Sequence, residues 1–320
     1  MSESPSISIR VGTRGSELAL FQADATEAAL SATFPAAGIE RQIIKTTGDR
    51  RTDVSLANVA KVEGVFDKGV FIKELEQALE DSSIDIAVHS LKDLPTVLAS
   101  QFALAAVLPR AAVRDALVTR DGHTLETLPA GARVGTSSVR RAKQVEFLRP
   151  DLVVVDLRGN VPTRLQKLAS GEHHDAILLA EAGLVRLEYL PETSPNPGQP
   201  EPVLKIDGLM ATRLDESTFF PAAGQGAIGL EIRTDDDQSR AHAVAIGDAD
   251  TWARVTAERE FLRLLDGGCH TPVGVFSTLI DGTLHLKARV FPEDGGQPQS
   301  SEASGTDPIA VAHELYQSLA

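Results

Sequence analysis

The sequence predicts an α/β protein of two similar lobes with mainly parallel sheets, followed by a third, small α/β domain. Three observations lead there. The segment RVGT occurs at 10–13 and again at 133–136, each time in an apolar, strand-like run that leads into a helical pattern. Residues 71–90 (FIKELEQALEDSSIDIAVHS) and 161–180 (VPTRLQKLASGEHHDAILLA) each read as amphipathic helix, short polar turn and apolar strand. The chain is 320 residues long, more than a single core usually supports.

Taken in order, ISIRVGT (7–13) predicts a buried strand, and SELALFQADATEAAL predicts a helix capped by Ser16, whose hydroxyl accepts from a free first-turn N–H. The unit recurs at 132–149, where ARVGT runs into SSVRRAKQVEFLR. Helices alternating with short apolar strands imply parallel pairing, with ligands outside the carboxyl ends of the strands. That places RGS, HSLKD and TSSVRR on one rim. Residues 191–208 (PETSPNPGQPEPVLKIDG) read as a solvated excursion without chemistry, and 227–233 as a returning strand. A helix from Asp250 is expected to stop at Gly267 and Gly268. A hairpin turning at Asp281-Gly282 and a last helix from about Asp307 complete the third domain.

Composition restricts function. With 42% hydrophobic and 24% charged residues, the chain reads as a soluble globular protein. A net charge of −14 argues against a nucleic acid or an anionic membrane surface as partner, so any bound anion needs a local basic patch. One cysteine forms no internal disulfide, and MSESPSISIR has neither a basic nor an apolar leader region, which predicts a cytoplasmic protein. No apolar run approaches the ~18 residues of a membrane span.

The required patch lies between 133 and 164, where Arg133, Arg140, Arg141, Lys143, Arg149, Arg158 and Arg164 outnumber Glu146, Asp151 and Asp156. Arg140 and Arg141 follow Thr136, Ser137 and Ser138 at a helix start, where free N–H groups and the helix dipole favour an anion. Arg14 and Ser16 occupy the equivalent place in the first lobe. Guanidinium forks suit carboxylates or phosphates; a single surface arginine is more ordinarily paired with a neighbouring acid, but the set taken together at helix and strand ends favours a polyanionic ligand. In DIAVHSLKDLP, His89, Lys92 and Asp93 follow a buried strand. An ionised Asp93 there is able to stabilise a cationic intermediate or accept from an N–H donor; a turn aspartate before Pro95 is the structural alternative. No metal is expected, because His173-His174 lies on a predicted surface turn and ligand spacing is absent. GQGAIG (224–229) lacks the rest of a dinucleotide fingerprint. Cys269, after the Gly267-Gly268 pair, suits a covalent attachment point or nucleophile better than packing. On these residues alone, a two-lobed anion-binding protein and a thiol-dependent transferase both stay open.

The ordered set VGTRGSELALFQA, KGVFIKELE, DIAVHSLKDLP, VGTSSVRR, LRGNVPTRL, AAGQGAIG and TAERE through DGGCHTPVG resembles the porphobilinogen deaminase (hydroxymethylbilane synthase) family over about residues 10–290. The resemblance implies a transferase of tetrapyrrole biosynthesis. It joins four porphobilinogen molecules head to tail with loss of ammonia, primed by a dipyrromethane cofactor held by a thioether to Cys269. It implies that Asp93 is the catalytic carboxylate, that Lys92, Ser138, Arg140, Arg141, Arg158, Arg164 and Arg259 bind the cofactor, and that Arg14, Ser16, Lys68, Arg186 and Gln225 bind substrate. It also implies lobes like those of periplasmic binding proteins and a monomer. Domain 1 is then about 1–108 with a return at 226–244, domain 2 is 109–225 and domain 3 is 245–320. Three departures stand out: the longer AKVEGVFDKGVF around Lys61 and Lys68, Pro162 in a first helical turn, and the 191–208 insertion.

Overall fold

A computed structural model of the chain describes residues 8–46, 69–194, 198–265, 272–292 and 296–319, with the backbone alone at 69–71. The first elements are β1 (Ser8–Arg14), α1 (Glu17–Thr33), β2 (Gly38–Ile44), α2 (Gly69–Glu80), β3 (Ile86–Ser90) and β4 (Phe102–Val107). Next come β5 (Asp115–Thr119), β6 (Arg133–Gly135), α3 (Val139–Leu148), β7 (Val153–Val155), α4 (Val161–Ala169), β8 (Ala176–Ala180), α5 (Glu181–Arg186), β9 (Glu201–Pro202) and β10 (Met210–Arg213). The chain continues through β11 (Ile228–Arg233), α6 (Asp237–Ala245) and α7 (Ala249–Leu264), and then through β12 (Val273–Ile280), β13 (Thr283–Val290), β14 (Gln299–Gly305) and α8 (Pro308–Gln317).

The chain divides into two compact units. One comprises residues up to Arg110 together with Ala227–Ala253; the other comprises Ala111–Gly226 and Arg254–Ala320. In the first unit the sheet order is β2-β1-β3-β11-β4, with β1 parallel to β2 and β3, and β11 antiparallel to both of its neighbours. In the second the order is β7-β6-β8-β5-β10-β9, with β6 parallel to β7 and β8, and β5 antiparallel to β8 and β10. Over five strands the two sheets therefore share one arrangement, and β9 adds a sixth strand antiparallel to β10 in the second. In each, a first strand lies between two parallel partners, and a single reversed strand separates that block from a strand running in the common direction. The duplicated RVGT stretches fall on the equivalent strands β1 and β6.

Local chemistry accounts for the helix starts. Ser16 caps α1 by accepting from Ala19 N, Ser138 caps α3 from Arg141 N, Asn160 caps α4 from Thr163 N, and Asp307 caps α8. Pro162 sits in the first turn of α4, where its missing N–H costs nothing. Ile9, Val11, Ile86, Val88, Leu230 and Ile232 interdigitate in the core of the first unit. In the second, Phe261, Val275, Leu286, Val311 and Leu315 pack α7 and α8 against the β12-β13-β14 sheet. Burying Phe261 completely contributes roughly 1.5–3 kcal/mol. Gly274 is needed where this sheet meets Phe220, because a Cβ there would lie 2.4 Å from the Phe220 Cβ.

Three expectations change. The excursion at 191–208 is not wholly solvated: Val203 is buried and joins Leu184, Leu190 and Leu209 in a core cluster, and Glu201–Pro202 pair with β10. The hairpin is the start of a three-stranded sheet, since β14 pairs with β13. His174 is buried beneath Gly135, whereas its neighbour His173 is exposed. Gly267 and Gly268, the expected stop of α7, lie outside the described residues.

Candidate active site

In the first unit the expected residues lie where β1 and β3 end. Arg14 is the last residue of β1 and Ser16 caps the helix that follows. Strand β3 passes into a single 3₁₀ turn, Leu91–Asp93, closed by Leu94 N donating to Leu91 O at 3.1 Å. Leu91 and Leu94 are fully buried, so the turn is clamped on both sides. Lys92 is left half-buried, and Asp93 is exposed with no hydrogen-bond partner among the described residues. Asp93 therefore neither caps a helix nor closes the turn. Behind the turn, Ser90 accepts from Gln22 Nε2 at 2.8 Å, Leu91 N donates to Ala227 O at 3.0 Å, and His89 Nε2 meets Glu231 Oε2 at 2.8 Å.

The second unit collects most of the expected arginines. Arg140 and Arg141 enter the first turn of α3 and point inward to Asp115, which opens β5. Arg140 Nη1 lies 2.7 Å from Asp115 Oδ2 and donates to Phe220 O; Arg141 Nη2 lies 2.7 Å from Oδ1 and its Nη1 donates to Leu178 O at 3.0 Å. Gln225 Nε2 adds a third donor to the carboxylate at 3.1 Å. Burial pushes the Asp115 carboxyl pKa up, but the two guanidiniums outweigh it and hold the group well below the ordinary carboxylate range. Two cations share one anion, and Arg140 Nε is buried with no partner among the described residues.

Arg186, at the end of α5, donates from Nη2 to Gly226 O at 2.7 Å. No carboxylate lies against it among the described residues, and burial lowers its pKa to about 10. Gly226 has φ +84° and its absent Cβ would lie 2.6 Å from Ala111 O, so only glycine brings this carbonyl to Arg186. Arg158 and Arg164 flank the start of α4; Arg164 Nε donates to Gly159 O at 2.7 Å, while Arg158 has no acid partner among the described residues. Arg259 lies half-buried on α7. The rest of the basic patch is neutralised locally: Arg133 by Asp175, Lys143 by Glu146 and Arg149 by Asp151. Cys269 and Lys68 lie outside the described residues.

Two site residues were missed in the sequence. Asp115 carries the signal of an acid opening the apolar run DALVT. Glu258, within TAERE, is fully buried, accepts from Gly224 N at 2.8 Å and from the Ser277 hydroxyl, and so ties α7 to the loop that holds Gln225.

Residues 9–241 match the family model for the porphobilinogen deaminase, dipyromethane cofactor binding domain, and residues 252–320 match the porphobilinogen deaminase C-terminal domain. The chain belongs to the porphobilinogen deaminase family. It is 43% identical over 319 residues to the porphobilinogen deaminase of Syntrophobacter fumaroxidans, covering 97% of this chain and 94% of that one. It is 44% identical to the Moorella thermoacetica porphobilinogen deaminase, covering 98% and 93%, and 45% identical to that of Desulforudis audaxviator, covering 92% and 88%. Membership makes the chain a transferase carrying the family's dipyrromethane cofactor-binding domain. The donors described above fit such a group, because a molecule bearing several carboxylates needs guanidiniums that the protein's own acids leave unbalanced. No helix among the described residues is long and apolar enough to cross a membrane.

Proposed function

We propose that this chain condenses four porphobilinogen molecules stepwise into hydroxymethylbilane, primed by a dipyrromethane joined through a thioether to Cys269. The observation that carries this reading is the unbalanced cation at Asp115, Arg140 and Arg141, together with the buried guanidinium of Arg186, in a chain of net charge −14. Each porphobilinogen brings an acetate and a propionate, so every addition brings two carboxylates to be met by bidentate donors. Ser138, Arg140, Arg141, Arg158, Arg164, Arg259 and Lys92 take the roles of cofactor holders; Arg14, Ser16, Lys68, Arg186 and Gln225 take those of substrate binders. When bound, the cofactor supplies the terminal pyrrole carbon to which the first substrate is joined.

In each cycle the C–N bond of the substrate aminomethyl group breaks and ammonia leaves. A C–C bond then forms to the free pyrrole carbon, and that carbon loses its proton. Positive charge develops on the substrate pyrrole as ammonia departs. Asp93 is suited to stabilise that charge and to accept from pyrrole N–H groups, because its carboxylate is held on a clamped turn with no internal partner to give up. The enzyme acts as a cytoplasmic monomer. Incubation with porphobilinogen tests the reading: ammonia release in step with the appearance of hydroxymethylbilane supports it, and porphobilinogen bound but not consumed by protein already carrying the cofactor contradicts it.

A further inference from the structure

Arg213 ends β10 with its side chain almost completely buried, and its guanidinium is shared among three elements. Its Nε meets Glu181 at the head of α5, its Nη1 meets Glu201 on β9, and its Nη2 donates to the Pro191 carbonyl where the excursion begins, at 2.5 Å. Register explains the convergence. Arg213 and Leu179 both pair with Ala116, so Glu181 begins two residues beyond the position facing Arg213 across β5; Glu201 pairs with Ala211, two residues before Arg213 on the same strand. One buried guanidinium against two buried carboxylates leaves excess negative charge, and Arg114, itself held by Glu216 at 2.5 Å, lies within the field of Glu181. Burying such a group carries a large desolvation cost and adds little net stability, so what it confers is geometry.

The geometry concerns α5. Glu181 and Arg186 are the two ends of this short helix, about 7.5 Å apart along its axis at 1.5 Å per residue. The excursion grips the far end as well: Lys205 Nζ donates to Leu187 O at 3.1 Å and pairs with Glu188 at 2.7 Å. Between these grips, Leu184 packs on Leu190, Val203 and Leu209. We propose that Arg213 is a positioning residue for Arg186: with the excursion as a brace, it fixes the orientation of α5 and thereby aims the Arg186 guanidinium at a pyrrole side-chain carboxylate. The inference rests on the reading of Arg186 as a substrate-carboxylate binder.

A double-mutant cycle separates the two ideas, read as KM and kcat for porphobilinogen on protein whose intact mass shows the cofactor in place. Arg186→Gln is expected to raise KM about tenfold; Arg213→Met is expected to raise KM about threefold or more with kcat changed less than about twofold. Added to Arg186→Gln, Arg213→Met should change KM by less than about twofold, because the group it positions is already gone. Arg213→Lys, which keeps the charge and loses the fork, should restore part of the loss. If Arg213→Met does not fold, Glu201→Gln loosens the same brace and should raise KM in the same direction, with the same loss of effect in the Arg186→Gln background. An unchanged KM in Arg213→Met, or in its Glu201→Gln substitute, while Arg186→Gln raises it overturns the positioning role, as do independent effects that simply multiply. No change in Arg186→Gln itself overturns the reading beneath it.

Discussion

Asp115 and Arg141 meet through one carboxylate oxygen, with Oδ1 accepting from Nε at 3.0 Å and from Nη2 at 2.7 Å. Arg140 takes the other oxygen, and all three side chains are buried. The arrangement makes Asp115 the internal counter-ion of a site that still carries one positive charge too many. Under the proposed function, an incoming carboxylate would complete the neutralisation.

Removing that counter-ion leaves two buried guanidiniums facing each other. Asp115→Asn should therefore lose about 3–5 kcal/mol of unfolding free energy, the usual cost of breaking a buried pair on one side. Urea unfolding of the two proteins side by side measures it; an unchanged midpoint would mean that the arginines find other partners.

The same carboxylate has a pH signature. Its folded-state pKa is depressed below the unfolded value of about 3.9, so its contribution is complete above about pH 4 and is lost as pH falls through the folded value. Wild-type unfolding free energy should drop below about pH 4, and more steeply than that of Asp115→Asn. Parallel curves would remove Asp115 as a source of acid sensitivity.

Arg140→Leu and Arg141→Leu should each block cofactor assembly, since each removes the one positive charge by which the cluster exceeds its own Asp115. Intact mass reads the outcome directly. Full loading of both variants would count against their role.

Asp93→Asn should fold normally and keep its cofactor, because Asp93 makes no hydrogen bond among the described residues. Turnover should fall about 10²–10³-fold, the loss typical of one electrostatic stabiliser. Normal turnover in this variant would remove Asp93 from the chemistry.

Much of this architecture was legible in the sequence where chemistry is local. The cap Ser16 and the helix starts near Ser138 and Asp307 are local signals, and the Asp281-Gly282 turn lies between the strands it joins, so short windows reveal them. Strand β14 was not legible: QSSEASG has no apolar alternation, and it is a strand only because β13 supplies a partner. The excursion misled for a related reason. Val203 and Ile206 are few among its prolines and glycines, yet Val203 joins Leu184 in the core and Ile206 packs against it. In the site, arginines at helix starts declared themselves by type and place. Asp115 did not, because its partners lie 25 and 26 residues away on α3 and only folding brings them together.

The central claim is that the chain carries a dipyrromethane on Cys269 and extends it. The most direct measurement is the intact mass of the purified protein beside its Cys269→Ser variant, before and after incubation with porphobilinogen. The account predicts that the native chain alone is heavier by two linked pyrrole units and gains further units on incubation. Equal bare-polypeptide masses for both proteins after incubation would contradict it.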